Sequence, residues 1–480
     1  MPNIGRFAIK YFRMKRYFSL ALCLLIVTLC SAVDYSSYYQ NLPVKLQMPT
    51  APVIPSLTVS IADFGACPDG VTDNTEAFAK AISHLRKQGG GHLTVPAGIY
   101  LTGPITLRDN IDLHLERNAI IMATPDKNKH MRVDKTTGKR EERARPFINA
   151  SKAKNISITG EGTIDGNGKW WRPVKRSKVS DTEWNQYRAM GGTISEKGDL
   201  WYPFNLKKFA NLTESAEEEI KLRMHMVRLT ECENVLVSGV TLQNAPNFHL
   251  VPQRCNNVII DGVTVRCPWN AQNGDAIDIG QCRRVLIINN VVDAGDDGIC
   301  MKGGVGQTAF DYGPCEDILI QDNTVYHAHG GFVIGSDCSG GMKNIVVRHN
   351  TFSGTDTGLR FKSSVGRGGK TQNIYISDIY MNDIKDEAVV FETTYFDNHV
   401  GAAPSAQQQP KENQFLPDFS DIHISNVVCR GTKTGIKAKG SKGMVHGIVI
   451  KDSKIFYTDK ATDISEECEV TIQNVDFRTF

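Results

Sequence analysis

One short pattern recurs along this chain and limits the folds that are open to it. A polar residue is followed by four or five residues in which apolar side chains alternate with others, and then by Asn, Asp or Gly. Alternation with period two in such short runs predicts β-strands. Most runs begin about 22 to 33 residues apart, and no helical period lies between them. The pattern therefore predicts an all-β solenoid of stacked parallel strands, with one coil per repeat. Its copies begin at Asn155, Asn234, Asn257, Arg284, Asp317, Asn344, Asn373, Asp421, Gly447 and Glu469.

Four cysteines occupy equivalent places in this pattern. Cys232, Cys255, Cys282 and Cys315 each precede the start of a repeat by two residues. Equivalent positions in successive coils lie about 4.8 Å apart. We therefore expect a buried stack of thiols rather than disulfides, and a similar ladder of Asn side chains where repeats begin with Asn. No Cys or His spacing is typical of a zinc site, so no metal is predicted.

The ends and the interruptions of a solenoid need separate interpretation. Residues 73–82 combine an N-cap candidate with helical apolar spacing, which predicts a helix that caps the N-terminal end. Residues 122–225 break the repeat and hold four of the five Trp residues. This stretch is interpreted as one short coil near Asn155 plus a long insertion. The insertion is either a loop packed by its own aromatic rings or a wall that offers ring faces to sugars.

The first 32 residues have the features of an export signal. Basic residues precede an apolar run from Phe18 to Leu29, and Cys30-Ser31-Ala32 offers a small-residue cleavage site. A lipid anchor on Cys30 is a weaker alternative. The apolar run is too short to span a bilayer as a helix. We therefore expect a secreted or periplasmic protein without a membrane span, with a linker over residues 33–57 and the solenoid over 58–480.

Charge excludes one class of partner. The chain has 55 Lys and Arg against 52 Asp and Glu, and it has no run of like charge. No nucleic-acid partner is therefore predicted. An anionic ligand would have to be held by a local group of basic residues.

Unusual polar groups cluster between residues 270 and 362. Their spacings are each close to one coil plus a loop, so they should align along one face of the solenoid. Three carboxylates brought together suit glycoside hydrolysis, because one can be protonated to donate to the leaving oxygen while another activates water. A turn or a calcium site is the alternative for the Gly-Asp-Asp-Gly sequence taken alone. The groups are Asn273-Gly274-Asp275, Gly295-Asp296-Asp297-Gly298, His329-Gly330-Gly331 and Arg360-Phe361-Lys362.

Taken in this order, the four motifs resemble those of the polygalacturonases, glycoside hydrolase family 28. The family pattern is Asn-Thr-Asp, Gly-Asp-Asp, Gly-His-Gly and Arg-Ile-Lys. The resemblance implies a single-stranded right-handed parallel β-helix of the pectin-lyase-like type. It also implies that Asp296 is the general acid, that Asp275 and Asp297 hold and activate the attacking water, and that the reaction inverts the anomeric carbon. No cofactor is implied.

The same resemblance implies the remaining site residues. His329 would support the acid, and Arg360 and Lys362 would bind galacturonate beside the scissile bond; Arg can hold a carboxylate with a two-pronged hydrogen bond. Three further matches would line the cleft, at Asn273, Lys302 and Tyr395. The expected partner is galacturonan, an anionic polysaccharide, and the expected state is a monomer. Three residues depart from the family pattern: Gly274 replaces Thr, Ala328 replaces Gly, and Phe361 replaces Ile with its side chain expected to point inward.

Several activities remain compatible with these residues. Exo action on α-1,4-galacturonan is favoured, because the long insertion resembles those that close one end of the cleft in exo-acting members. A hydrolase of rhamnogalacturonan or another decorated pectin is the nearer alternative. A calcium-dependent enzyme similar to pectate lyases and a non-catalytic sugar-binding β-helix are alternatives of different classes.

Overall fold

The computed structural model describes residues 33–133, 136, 140–203, 223–395 and 414–480. The predicted export signal lies outside these residues. The chain divides after Leu42. The first unit contains, in its described part, one turn of 3-10 helix at Ser36–Tyr39, and all other elements belong to the second unit. Among the described residues, no helix combines the length and the apolar character needed to cross a bilayer.

Thirty strands of the second unit form a parallel β-helix with three strands in a regular coil. Each strand is hydrogen-bonded to the equivalent strand of the next coil, so the strands stack into three columns that run along the solenoid. The predicted all-β, right-handed parallel solenoid is thereby confirmed. Its interior is filled by the alternating apolar residues of the repeats, and Val235, Val258 and Val285 are fully buried at equivalent positions.

The first column contains the strands with which the sequence repeats begin. Residue-by-residue pairing runs without a slip from Leu236 to Ile259 and Leu286. Its separate strands are β1 Thr58–Ser60, β3 Gly91–Val95, β6 Ile111–Leu115, β11 Lys154–Gly160, β17 Glu233–Ser238, β20 Asn256–Asp261, β23 Arg283–Ile288 and β26 Cys315–Gln321.

The second column follows the first after a turn in which an Asn, an Asp or a Gly often has a positive φ, as at Asn289 and Gly262. Its separate strands are β2 Asp69–Asp73, β4 Gly98–Thr102, β7 Ala119–Ala123, β12 Thr163–Asp165, β18 Thr241–Gln243, β21 Thr264–Arg266, β24 Val291–Asp293 and β27 Thr324–Val325.

The third column carries the predicted functional residues. Its separate strands are β5 Ile105–Thr106, β10 Ile148–Ser151, β16 Val227–Thr230, β19 Leu250–Gln253, β22 Ile277–Gly280, β25 Ile299–Lys302, β28 Phe332–Ile334, β30 Thr357–Lys362 and β32 Glu387–Glu392. Longer strands continue through two or three columns toward the C-terminus: β29 Met342–Ser353, β31 Lys370–Asn382, β33 Asp418–Lys439, β34 Val445–Ile464 and β35 Val470–Thr479.

A helix, α1 at Thr75–Lys87, packs its apolar face on the N-terminal coils, as predicted. It begins two residues after Asp73, whose carboxylate accepts a hydrogen bond from the Thr75 amide at 2.9 Å. The Asn74 side chain does not cap the helix. It bonds to the backbone of Cys67 and Leu101 instead and so ties the helix to the first coils.

The predicted thiol stack and Asn ladder are both present. The Cys232 amide donates to the Cys255 sulfur at 3.4 Å, the Cys255 amide donates to the Cys282 sulfur at 3.3 Å, and the ten described cysteines are free thiols. The Asn257 side-chain amide donates to the Asn234 oxygen at 2.8 Å. These Asn residues have positive φ, a conformation that Asn tolerates better than most residues.

A second Asn ladder, which the sequence analysis missed, lies inside the solenoid. Asn290, Asn323 and Asn350 are almost fully buried. The Asn290 side-chain amide donates to the Asn323 oxygen at 2.8 Å, and the Asn323 amide donates to the Asn350 oxygen at 2.9 Å. Each carboxamide thus satisfies its neighbour, which lets three polar groups occupy the core.

The solenoid is interrupted twice before residue 227. The first interruption, after β7, contains the short helix α2 Lys127–His130 and the antiparallel pair β8 Met131–Val133 and β9 Arg140–Ala144. A complete coil, β10 to β12, precedes the second. The second contains, in its described part, β13 Val174–Lys175, α3 Asp181–Ala189, β14 Thr193–Ile194 and β15 Leu200–Tyr202. A further helix, α4 Gly306–Tyr312, follows β25.

The aromatic residues of the second interruption pack mainly against their own neighbours. Trp184 and Trp201 are buried in a small core with Val174 and Val179. Trp171 is fully buried in the core of the solenoid. The structure therefore favours the interpretation that these rings hold the insertion together rather than offer faces to sugars.

The buried ladder of Asn290, Asn323 and Asn350 can be tested for its contribution to the stability of the solenoid. Asn323→Ala leaves the Asn290 amide and the Asn350 oxygen without their shared partner in the core. We expect it to lower the free energy of unfolding by about 3 kcal/mol, measured from the urea midpoint. The control is Gln473→Ala at an exposed position of β35, which should change stability by less than about 0.5 kcal/mol. Equal losses in the two variants would contradict this account of the ladder.

Candidate active site

The predicted site residues meet along the third column, on four successive coils. Ile277 of β22 pairs with Ile299 of β25, Ile299 pairs with Phe332 of β28, and Phe332 pairs with Leu359 of β30. The segments just before these strands are also joined, because the Ala276 amide donates to the Asp297 carbonyl oxygen at 3.0 Å. The His329 amide likewise donates to the Asp296 carbonyl oxygen at 2.9 Å. The predicted alignment is therefore present.

Asp296 and Asp297 both lie outside the apolar core although they are consecutive. The Asp297 amide donates to Asp296 Oδ1 at 3.0 Å within a bend that precedes β25. The flanking glycines, Gly295 and Gly298, do not have positive φ. A Cβ on Gly295 would lie 2.6 Å from the carbonyl oxygens of Pro268 and Ala271, so a glycine lets the coils approach closely.

Asp297 is held by two cations of β30. Lys362 Nζ donates to Asp297 Oδ2 at 2.8 Å, and Arg360 Nη1 lies 3.7 Å from Asp297 Oδ1. Burial alone would raise the pKa of Asp297, but the positive charges of Lys362 and Arg360 outweigh it and lower that pKa. Asp297 is therefore ionised.

Asp296 is paired with His329. His329 Nδ1 lies 3.0 Å from Asp296 Oδ1. Burial raises the pKa of Asp296, but His329, together with Lys362 and Lys178, lowers it further than burial raises it. Asp296 has the most exposed side chain of the three predicted carboxylates, at 13%, against 3% for Asp275 and 2% for Asp297. It is therefore the carboxyl group that a ligand reaches first.

Asp275 shares a cation with Asp278, which the sequence analysis did not single out. Lys302 Nζ lies 3.6 Å from Asp275 Oδ2 and 3.5 Å from Asp278 Oδ2. Burial, with the neighbouring Asp278 and Asp296, raises the pKa of Asp275 well above its usual value. Burial also raises the pKa of Asp278 to about 6, although Lys302 opposes the shift. A proton is therefore retained on this pair.

A buried histidine, His249, holds the backbone of Asp275 in place. His249 Nδ1 lies 2.9 Å from the Asp275 carbonyl oxygen, and the Ala245 amide donates to His249 Nε2 at 3.3 Å. Burial lowers the pKa of His249 to about 4, so the ring is neutral and donates through Nδ1. His249 therefore holds the carboxylate-bearing segment in place, a role that no motif indicated.

Lys302 and Lys362 occupy the same outward row of the third column, with Gly335 between them. A Cβ on Gly335 would lie 3.0 Å from Lys302 Cδ and 2.9 Å from the Cys300 sulfur. The missing side chain gives the long side chain of Lys302 room to turn toward Asp275 and Asp278. Gly335 was also missed by the sequence analysis.

Tyr395 lies against the two basic residues of β30. Arg360 Cζ is 5.6 Å and Lys362 Nζ is 5.1 Å from the centroid of its ring. An aromatic face at this distance attracts cations and restricts their side chains. The structure thus places Tyr395 beside Arg360 and Lys362, in the region where the sequence analysis placed it.

Asn273 is close to the site but its side-chain oxygen is engaged. Arg223 Nη2 donates to Asn273 Oδ1 at 2.8 Å, and Arg223 Nη1 donates to the Gln272 carbonyl oxygen at 2.7 Å. Burial lowers the pKa of Arg223 to about 10, and this guanidinium supports the segment before Asp275. Asn273 therefore has a contact that orients it.

The insertion contributes a cation that the sequence analysis did not identify. Lys178 Nζ donates to the Gly295 carbonyl oxygen at 3.1 Å and lies 3.2 Å from His329 Nε2. Lys178 is more than a hundred residues from both partners in the chain. Spacing alone could not reveal this contact, because the second interruption does not follow the repeat.

The departures from the family pattern are accommodated in three ways. Phe361 points inward as expected and stacks on Phe391, with ring centroids 4.4 Å apart. At Gly274 a Cβ would lie 3.0 Å from the Ala271 Cβ, so little space is left for a larger side chain. Ala328 is buried just before His329.

One cluster among the described residues has the spacing of a metal site. Ligand atoms of Asp296, Asp297 and His329 lie within 4.8 Å of one another. However, Lys362 already binds Asp297 directly and Lys178 lies beside His329. The negative charge of the cluster is thus matched by the protein's own cations, and this donor set suits ammonium and guanidinium groups better than a divalent ion.

A family model described as glycosyl hydrolases family 28 matches residues 174–475. The chain belongs to this family. A second model, described as rhamnogalacturonase A/epimerase, pectate lyase-like, matches residues 58–187. Membership of the first family identifies the chain as a glycosidase.

One relative and two solved structures illustrate the similarity. An exo-poly-alpha-D-galacturonosidase of Dickeya chrysanthemi is 27% identical over 89% of this chain and 72% of its own length. The crystal structure of an exopolygalacturonase from Thermotoga maritima has 30% identity and a TM-score of 0.73, over 90% of this chain and 94% of its own. A polygalacturonase structure from Erwinia carotovora, at 22% identity and a TM-score of 0.60, covers 91% of this chain and 99% of its own and shares the fold.

The proton retained by Asp275 and Asp278 predicts how stability depends on pH. An unfolded Asp has a pKa near about 3.9, whereas the folded Asp278 has a pKa of about 6. The folded state is therefore favoured by proton binding below the unfolded value, and this advantage is lost as the pH rises through about 6. Asp278→Asn lacks this titration and should gain about 2 kcal/mol of unfolding free energy relative to wild type between pH ~4 and ~7.

Urea midpoints of wild type and Asp278→Asn, measured at both pH values, check this expectation. Asp459→Asn in the exposed part of β34 is the control for losing one surface charge. A difference between Asp278→Asn and wild type that does not change with pH would contradict the raised pKa.

Proposed function

We propose that this glycosidase hydrolyses α-1,4-linked galacturonan by single displacement with inversion, and that it acts from a chain end. One observation carries the proposal: three carboxylates and two cations that are far apart in the chain converge on neighbouring coils. Asp297 is bound by Lys362 at 2.8 Å, and Asp296 lies 3.0 Å from His329. Hydrolysis needs such carboxyl groups, and an anionic sugar needs such cations.

Asp296 is the proposed general acid because it is the most accessible of the three carboxyl groups. In the free protein its pKa is lowered, burial being outweighed by His329, Lys362 and Lys178. A bound uronate would neutralise part of the charge of Lys362 and would also exclude water. Both effects raise the pKa of Asp296 and so allow it to carry the proton for the leaving oxygen.

Asp275 and Asp297 are the proposed water-holding pair. They lie deeper than Asp296 and on adjacent coils, with the Asp297 carbonyl accepting from Ala276. Oxygens of Asp296 and Asp297 come within 4.8 Å, whereas carboxyl groups of inverting enzymes usually lie roughly 6.5–9.5 Å apart. Inversion is proposed nonetheless because Lys362 and Arg360 hold Asp297, which makes it a poor nucleophile.

The proposed substrate follows from the cations. Arg360 and Lys362 lie together beside Tyr395, and both face Asp297. A uronate carboxylate placed between them would receive charge-assisted hydrogen bonds. Relatives named for cleavage of polygalacturonan support galacturonan over a neutral polysaccharide.

Exo action is proposed from two independent observations. The relatives from Dickeya chrysanthemi and Thermotoga maritima are both named as exo-acting enzymes. In addition, the second interruption folds around its own small core and extends Lys178 to the Gly295 carbonyl oxygen. A wall built in this way can restrict the cleft to a chain end.

Products from defined oligogalacturonides test the acid and the mode of action together. Wild type should release short products from one end, and proton NMR should show the inverted anomer first. Asp296→Asn should lose at least about a thousandfold in kcat, because general acid catalysis commonly contributes about 10²–10⁴-fold. The control is Asp293→Asn, an exposed carboxylate three residues earlier, which should retain activity near that of wild type.

Other products would overturn specific parts of the proposal. Mixed internal oligomers would refute exo action, and retention of configuration would refute single displacement. An ultraviolet-absorbing double bond that a chelator abolishes would indicate a calcium-dependent lyase. Cleavage of rhamnogalacturonan without cleavage of galacturonan would assign the enzyme to decorated pectin, and binding without cleavage would indicate a sugar-binding protein.

The role of Arg360 can be tested with the charge of the substrate. Arg360→Met should lower kcat/KM for the free acid by about 30-fold, which corresponds to one charge-assisted hydrogen bond. Activity on the methyl ester should already be low in wild type and should fall much less in the variant. Arg478→Met on the exposed end of β35 is the control. Equal losses on both substrates would show that Arg360 acts only on the structure.

A further inference from the structure

Lys178 is held in place by the folded core of the insertion. It ends a short 3-10 turn at Arg176–Lys178, and the next residue, Val179, is buried with Trp184. Ser180 then caps α3, and its side chain accepts from the Glu183 amide. The backbone of Lys178 is thus fixed on both sides before its side chain extends to the third column.

The contact between Lys178 and His329 has only one possible polarity. Burial lowers the pKa of Lys178, but the carboxylates of Asp296 and Asp356 oppose that shift and favour the charged ammonium. An ammonium group has donors but no acceptor, so His329 Nε2 accepts its hydrogen bond over 3.2 Å. A neutral ring that accepts at Nε2 carries its proton on Nδ1. That nitrogen lies 3.0 Å from Asp296 Oδ1, which can accept the hydrogen bond.

The other charged groups around the ring do not compete for this nitrogen. Asp356 Oδ2 is 3.8 Å from His329 Nε2, beyond hydrogen-bond distance. Asp356 is paired with Lys385, at 3.3 Å between Oδ1 and Nζ. Without Lys178, however, Asp356 would be the remaining charged group near Nε2, and it would favour a proton there.

We propose that Lys178 is a positioning residue that fixes the tautomer of His329 and thereby directs Nδ1–H at Asp296, an inference that rests on the proposed function. With Oδ1 of Asp296 accepting from both His329 and the Asp297 amide, Oδ2 is the oxygen left to carry the proton toward a leaving group. Burial raises the pKa of Asp296, whereas the hydrogen bond from neutral His329 and the charges of Lys362 and Lys178 lower it.

The tautomer can be observed directly in the full-length protein. Nitrogen-15 NMR of histidine-labelled wild type should show His329 with Nε2 unprotonated, the resonance being assigned by comparison with His329→Gln. In Lys178→Met the Nε2 signal should shift toward the protonated form. Lys178→Arg, which restores the charge and the donors, should restore the wild-type pattern. The matched control is Lys169→Met, an exposed lysine of the same insertion, which should leave the ring signals unchanged.

Kinetics on oligogalacturonide provide the second readout. Lys178→Met should lower kcat about tenfold with KM within about twofold, since general acid catalysis is weakened and binding is not. Removing a positive charge beside Asp296 raises its pKa. The high-pH limb of kcat/KM, where the acid loses its proton, should therefore move to higher pH.

Three results would overturn the proposal. They are a wild-type His329 protonated at Nε2, unchanged ring signals in Lys178→Met, and an equal effect of Lys169→Met. Unfolding midpoints show whether Lys178→Met is misfolded. If it is, the tautomer of His329 in wild type and in Lys178→Arg tests the proposal instead. If the wild type cleaves no galacturonan, the proposed function fails while the NMR result still tests the contact between Lys178 and His329.

Discussion

The hydrogen bonds between successive coils are the constraint on which the site depends. Asp275, Asp296 and His329 come together because the backbone segments before three parallel strands are bonded to one another. Side chains alternate between the two faces of a strand, so a slip of one residue would exchange inside and outside for a whole strand. The catalytic geometry is therefore a consequence of register, and register is set far from the carboxylates.

Several features inside the solenoid protect that register. Phe361 lies between Arg360 and Lys362 on β30, points into the core and stacks on Phe391 of β32. The buried ladder of Asn290, Asn323 and Asn350 requires each carboxamide to face its neighbour, which permits one alignment of the coils. An apolar core alone would tolerate sliding more easily than these directional contacts do.

The charges of the site form two groups with opposite effects on protonation. Lys362 and Arg360 outweigh burial at Asp297 and lower its pKa, whereas Lys302 is shared by Asp275 and Asp278 and burial raises the pKa of both. Neighbouring carboxylates cannot all ionise in a buried space, so one ionised and one protonated group coexist. The proposed roles need the opposite order, so substrate binding must raise the pKa of Asp296 and leave Asp275 ionised.

Features that share the period of the coils could be predicted from the sequence, and features outside that period could not. The strands, the thiol stack and the four motifs recur with the coils, so Asp275, Asp296 and Asp297 could be expected to align. Asp278 and Gly335 lie in or next to the strands of the third column, but no motif in a single sequence distinguishes them. Their importance arises from contacts with Lys302, and those require the positions of both coils.

Lys178 shows more clearly what sequence periodicity cannot predict. It also explains why an insertion is useful. A solenoid presents side chains only from its own faces, and each coil offers few outward positions near the acid. A cation that approaches His329 from the opposite side must come from a segment that leaves the solenoid and folds independently, as the segment around Trp184 and Trp201 does. Because that segment has its own core, its sequence can change without disturbing the register of the coils, and the wall of the cleft can vary while the carboxylates remain in place.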